Sequence, residues 1–123
     1  MFVRSRNTAP RREREGLLAE ILLQQGDVAS NLLAVTWVEV APGGQQLPHE
    51  HVPEQVYVII QGQGRMRVGD DEREVAPGDL VYIPSQVSHG IVNTSSQPLV
   101  YISAATPAFD LEALYDSGQL RAP

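Results

Sequence analysis

Between residues 32 and 105 the apolar side chains fall in short runs divided by turn residues. Residues 32–40 are dense in β-formers and stop at Ala41-Pro42-Gly43-Gly44. Residues 55–60 make a second such run, closed by Gly62-Gln63-Gly64. Residues 65–68 alternate polar with apolar and face 72–75 across Gly69-Asp70-Asp71, which reads as a hairpin turn. Pro77-Gly78-Asp79 precedes a run at 80–83, and runs at 87–92 and 99–103 flank a polar turn at 93–98. Many short strands with turn chemistry between them predict an all-β sandwich or barrel. Residues 17–23 are apolar throughout, and their periodicity fits helix or strand equally. After Pro107 the pattern changes: residues 110–115 place Leu111, Leu114 and Tyr115 on one face of a short helix that Gly118 would stop. Such a helix would cover a sheet face or edge.

Composition narrows this picture. The 123 residues suit one domain, long enough to bury a core without staples. There is no cysteine, which removes disulfides, thiol nucleophiles and thiolate ligands and leaves imidazole, carboxylate, amide oxygen and water. The net charge of −6 is unevenly spread, because residues 1–14 hold five of the nine basic residues and only one acid, Glu13. The expected division is a basic, solvated and mobile arm over 1–15, a β-barrel domain over 16–106, and a short helix and tail over 107–123. An acidic body argues against nucleic-acid binding by the domain. No apolar stretch has the length to span a bilayer, and the arm lacks the apolar centre of a secretory signal, so a cytoplasmic protein is expected.

The chain has three histidines, His49, His51 and His89. Neutral imidazole is the commonest metal donor at physiological pH. On an extended strand His49 and His51 project from the same face, because side chains alternate with period two. The stretch Gly43, five residues, His49-Glu50-His51, three residues, Gln55, six residues, Gly62 resembles the first motif of the cupins, G-x5-H-x-H-x3,4-E-x6-G. The stretch Gly78, five residues, Pro84-Ser85-Gln86, two residues, His89, three residues, Asn93 resembles the second, G-x5-P-x-G-x2-H-x3-N. Two long gapped patterns in the right order are specific, whereas H-x-H alone is weak. The resemblance implies a small single-domain cupin: a double-stranded β-helix, or jelly roll, with one divalent transition metal inside its mouth. It also implies a homodimer. Gln86 departs from the motif at a turn glycine, which asks for a modest backbone adjustment.

By the same resemblance His49, His51 and His89 are metal ligands, and Gln55 stands where the family has its glutamate. Glu54 is the rival for that place. Strand alternation and the gap to Gly62 favour Gln55, while Pro53 could shift the parity through a bulge. A third option is that Gln55 only hydrogen-bonds a ligand or water. Nitrogen and oxygen ligation suits Mn, Fe, Co, Ni, Cu or Zn. Four uncharged ligands would leave the ion its full charge, which favours anionic ligands and Lewis-acid chemistry. Strand parity adds Thr36, Val38 and Tyr57 as pocket lining and turns Trp37 and Glu39 outward. Glu50 should point to solvent, Arg65 and Arg67 should pair with Glu72 and Glu74, and Asp79 and Asn93 should satisfy turn backbone. No general acid or base stands out. The function expected is a metal-dependent enzyme acting on a small, oxygen-rich anionic molecule, of dioxygenase, decarboxylase, isomerase, lyase or cyclase type. The alternative is a non-catalytic metal- or small-molecule-binding module, since a fold does not choose a reaction.

Overall fold

The structure is a computed structural model that describes residues 1–117. Ten strands carry the chain: β1 (Arg11–Arg14), β2 (Leu17–Leu23), β3 (Ala34–Val40), β4 (Gln45–His49), β5 (Glu54–Gln61), β6 (Gly64–Val68), β7 (Asp71–Val75), β8 (Leu80–Ile83), β9 (His89–Val92) and β10 (Leu99–Thr106). One helix, α1 (Leu111–Asp116), follows. The strands form two antiparallel sheets, a six-stranded one in the order β1-β2-β3-β10-β5-β8 and a four-stranded one in the order β4-β9-β6-β7. This is the expected jelly roll with its short C-terminal helix. The Gly118 stop lies outside the described residues.

Alternation decides which side chains enter the barrel. In β3, Ala34, Thr36, Val38 and Val40 are buried while Val35, Trp37 and Glu39 are half-buried on the outer face. In β5, Gln55, Tyr57 and Ile59 point inward. Leu17, Val38, Val40, Tyr57, Ile59, Met66, Val75, Ile83, Ile91, Leu99 and Tyr101 make one continuous core between the sheets. The apolar run at 17–23 is a strand, β2, paired with β3, so it extends the sheet.

The first fifteen residues, expected as a solvated arm, are mostly exposed, and part of them is held to the body as an edge strand. Arg11 to Arg14 pair with Leu17 to Glu20 as an edge strand. Arg6 reaches Glu20 at 2.7 Å and Glu39 at 2.9 Å, and its guanidinium lies 4.3 Å from the centre of the Trp37 ring. Arg4 lies 2.7 Å from Asp27. Charge counting missed this because the partner carboxylates lie far along the chain. Elsewhere Arg65 pairs with Glu72 and Glu74, whereas Arg67 donates to the Gly69 carbonyl. Asp79 accepts from the Ala76 amide, and Asn93 bridges Val40, Ser95 and Gln97.

Asp27 gives a test of the docked terminus. It accepts from Arg4 and from the Gln24 amide, and chiefly the Arg4 hydrogen bond holds its carboxyl below the usual carboxylate range. A depressed carboxyl stabilises the fold above its unfolded pKa of roughly 4, and the contribution fades as pH falls through the native value. Asp27→Asn should therefore cost about 1–3 kcal/mol at neutral pH, the range for a hydrogen-bonded charge. Urea titrations should show the two proteins converging as the pH falls below 4.

Candidate metal centre

The site is built where β4 and β9 run antiparallel, with His49 directly opposite His89. Gly90 makes that approach possible. A side chain there would sit 2.9 Å from the Gln46 carbonyl and about 3.1 Å from Pro48. His51 enters from the turn before β5 and Gln55 from the second position of β5. One ring nitrogen from each of the three histidines falls within 4.8 Å of the others. The ring centres of His49 and His89 are 4.2 Å apart, and those of His51 and His89 are 5.1 Å apart.

Each ring is aimed by the backbone. The Nδ1 atoms of His49, His51 and His89 lie 3.0, 2.9 and 2.9 Å from the carbonyls of Leu47, Pro53 and Val87. A carbonyl only accepts, so each Nδ1 carries the proton and each Nε2 presents a lone pair. Outer partners of this kind fix the tautomer of metal-bound histidine. His89 Nε2 is buried with no hydrogen-bond partner. His51 Nε2 lies 2.9 Å from Gln55 Oε1. A neutral imidazole has one N–H, so with Nδ1–H on Pro53 this contact sets lone pair against lone pair. A cation shared by the two atoms would relieve it. Burial, the nearby His89 and the nearby His51 push His49 down to about 3, with the Leu47 hydrogen bond opposing them. Burial, countered by the Val87 hydrogen bond, brings His89 to about 4. Both rings are therefore neutral donors at physiological pH. The residues present fit a divalent cation.

Gln55 is buried and its Nε2 donates to Ser103 Oγ, which leaves the amide oxygen facing His51. Glu54 is exposed and lines a depression on the other side of Gln55, with Leu33, Val56 and Tyr82, that no histidine reaches. Glu50 is exposed as well. Gln86 adopts a left-handed φ of 61° where the motif has glycine, and its amide donates to the His51 carbonyl.

Thr36, Val38 and Tyr57 line the histidine cavity, together with Gln46, Tyr101, Ser103, Phe109, Leu111 and Tyr115. Sequence reasoning missed the last six. Parity on β10 could have flagged Tyr101 and Ser103, but nothing local marks Phe109 or Tyr115. Tyr57 and Tyr101 stack with ring centres 4.3 Å apart. Burial pushes both hydroxyls above their ordinary value, so each holds its proton. A larger depression of about 290 Å³ opens between the edge strands β7 and β8, but no histidine lines it. Size alone would favour it; here the donor chemistry outweighs size.

Known proteins share this architecture. A stretch of 74 residues is 34% identical to the uncharacterized protein MJ1618 of Methanocaldococcus jannaschii, covering 59% of each chain. A stretch of 71 residues is 30% identical to the dimethylsulfoniopropionate lyase DddW of Ruegeria pomeroyi, covering 58% of this chain and 47% of that one. The matches thus span about half the length of these relatives. Among solved structures, the polyketide cyclase RemF of Streptomyces resistomycificus superposes with a TM-score of 0.73 at 25% identity, covering 86% of this chain and 79% of that one. Among the described residues no helix is long and apolar enough to cross a membrane. The family model for the cupin domain matches residues 36–105, more than half of the chain and both histidine motifs, and the protein therefore belongs to the cupins.

Proposed function

We propose that this cupin binds one divalent transition metal through His49, His51, His89 and Gln55, and uses it on a small anionic, oxygen-rich molecule. The observation that carries the reading is the buried, unpartnered Nε2 of His89 beside two more imidazoles whose Nδ1 protons are already committed to carbonyls. Leaving a buried acceptor unpaired costs about 1–3 kcal/mol, which a cation in this place would offset. When bound, such an ion polarises a carbonyl or carboxylate and lowers the pKa of its water.

The chain's own residues supply the rest. Gln55 brings an oxygen donor without bringing charge, so the ion would keep its full positive charge and attract an anion. Ser103 holds the Gln55 amide in that orientation. Tyr57 and Tyr101 keep a proton at hydroxyl oxygens lining the cavity, able to donate to a ligand oxygen. Val38 and Leu111 exclude water, which strengthens each polar contact. The lyase and the cyclase among the similar proteins support turnover on small molecules.

Purified protein should contain metal near one equivalent by elemental analysis. Turnover and oxygen uptake are then measured across a panel of carboxylates and catechols. Stoichiometric metal without any turnover would make the protein a binding module. A homodimer belongs to the same proposal, with the outer face bearing Ile60, Leu80 and Tyr82, all exposed in the single chain, as the surface to be covered. Sedimentation should give twice the chain mass.

The fourth ligand has its own test. Gln55→Ala should weaken metal binding by at least the roughly 10–100-fold that losing a partner behind a ligand costs, while Glu54→Ala leaves it unchanged. Gln55→Glu should tighten the metal and weaken anion binding, because the carboxylate cancels one unit of charge. Competition with a chromogenic chelator reads the first effect and calorimetry with oxalate the second. A loss confined to the Glu54 variant would move the assignment by one residue.

A further inference from the structure

We propose that the C-terminal segment, residues 108–117, is a lid on the histidine cavity, latched by Arg12 of β1, and that the site takes up its ligand only when the segment lifts. The inference rests on the metal reading for what the cavity binds, but not for whether the segment moves.

The cavity as it stands offers about 20 Å³ to the centres of water-sized molecules. That is room for about one water, for which roughly 10–15 Å³ is enough. A carboxylate of even a few heavy atoms does not fit. The obstruction comes from one segment. Phe109 stands over the site, with its ring centre 5.7 Å from that of His51, and Leu111 and Tyr115 complete the wall.

The segment is attached in a way that lets it leave. Leu111 packs with Ile21 and Ala34, joined by Ala108, Phe109 and Tyr115, in a cluster separate from the main core. The helix has six residues, too few to persist without a surface to dock on. Its remaining anchors are polar, and apart from the buried Gln24 its side-chain partners lie near the surface. Arg12 Nε and Nη2 donate to the two carboxylate oxygens of Asp116 at 2.8 and 3.2 Å, and Nη2 also reaches Glu112 at 2.9 Å. Gln24 donates to Glu112 and accepts from its amide, and the Gln25 amide donates to the Phe109 carbonyl. Arg12, Glu112 and Asp116 are 32%, 39% and 59% exposed in their side chains, so each pair is weak. Undocking the segment breaks this latch and the small apolar cluster, and leaves both sheets whole. Local openings of this kind draw on the least stable parts of a fold.

Arg12 touches neither the histidines nor the cavity wall, so its substitution separates gating from binding. Zinc(II) uptake and its release to a chelator are timed for the full-length wild type, Arg12→Glu and Arg12→Lys. Arg12→Glu should speed uptake and release together by about tenfold, the scale of a few exposed ion pairs, with zinc affinity and stoichiometry unchanged. A merely structural role would move affinity instead. Lysine cannot fork across a carboxylate, so Arg12→Lys should fall between. Added salt should bring the wild type toward the Glu variant. In parallel, the metal-free proteins are treated with diethyl pyrocarbonate, which acylates the three histidines only when they are reachable. Acylation should accelerate in Arg12→Glu by the same factor. Equal acylation and equal zinc rates in all three proteins would overturn the lid. Absence of zinc binding alongside faster acylation would sink the metal reading and keep the lid.

Discussion

His89→Ala should abolish metal retention, with affinity falling by more than about 100-fold. Loss of a partner behind a ligand already costs 10–100-fold, and this substitution removes a ligand itself. His89 is the most enclosed of the three, 1% exposed, and its Nε2 has no other use in the site. The fold should survive, because a neutral ring at that position contributes one backbone hydrogen bond, to Val87. The measurement is paired. Elemental analysis gives the metal content, and thermal unfolding with and without added metal gives the linkage. Wild type should rise in Tm with metal concentration, as any native-state ligand requires, and His89→Ala should not respond. A variant that keeps its metal and its Tm response would remove His89 from the centre and leave the buried Nε2 unexplained.

Gly62→Ala should be the most damaging single methyl in the chain. Gly62 has a φ of +83°, in the left-handed region that side chains avoid. The added carbon would also lie 2.3 Å from the Pro98 carbonyl oxygen and 2.9 Å from the Leu99 Cα. Both obstacles are backbone, so no rotamer change relieves them. Moving them means shifting β10, the strand that pairs with both β3 and β5. Dihedral strain of about 1–3 kcal/mol and the displaced strand together should cost about 4 kcal/mol or more, seen as insoluble protein or a lost urea transition. Gly26→Ala is the control. Gly26 has a φ of +91° but nothing within 4 Å of an added carbon, so only the dihedral cost of about 1–2 kcal/mol should remain. Similar losses at the two positions would mean that strain, not the clash, dominates.

Gly62 shows why the motif spacing was readable. A glycine two strands away from a histidine looks idle in a sequence, yet Gly62 sets where β5 ends against β10. Alternation did most of the remaining work. Once residues 32–40 and 55–60 were strands, Thr36, Val38 and Tyr57 had to share a face with Gln55, because period two leaves no other choice. Gln55 and Glu54 separated for the same reason, and Pro53 introduced no slip of parity.

What depended on the folded chain was everything carried by contacts between distant residues. The tautomer of each histidine is set by a carbonyl two residues away, but only the local bend of the folded backbone aims that carbonyl at Nδ1. The basic start of the chain reads as a solvated arm when charges are counted along the sequence. It becomes an edge strand because Glu20, Glu39, Asp27, Glu112 and Asp116 are brought to it in space. The short helix was legible as a helix, through Pro107 before it and its apolar face of Leu111, Leu114 and Tyr115, and in the fold Asp110 caps it. That it closes the histidine cavity was not, since hydrophobic periodicity says that a face must be buried and not against what. The sequence by itself determined the strands and their inward faces, because local backbone geometry enforces them, while the proposed ligands were named by the spacing of the cupin motifs. Tertiary structure alone decided which groups aim those ligands and what stands over them, because those depend on where residues up to 104 positions apart come to rest.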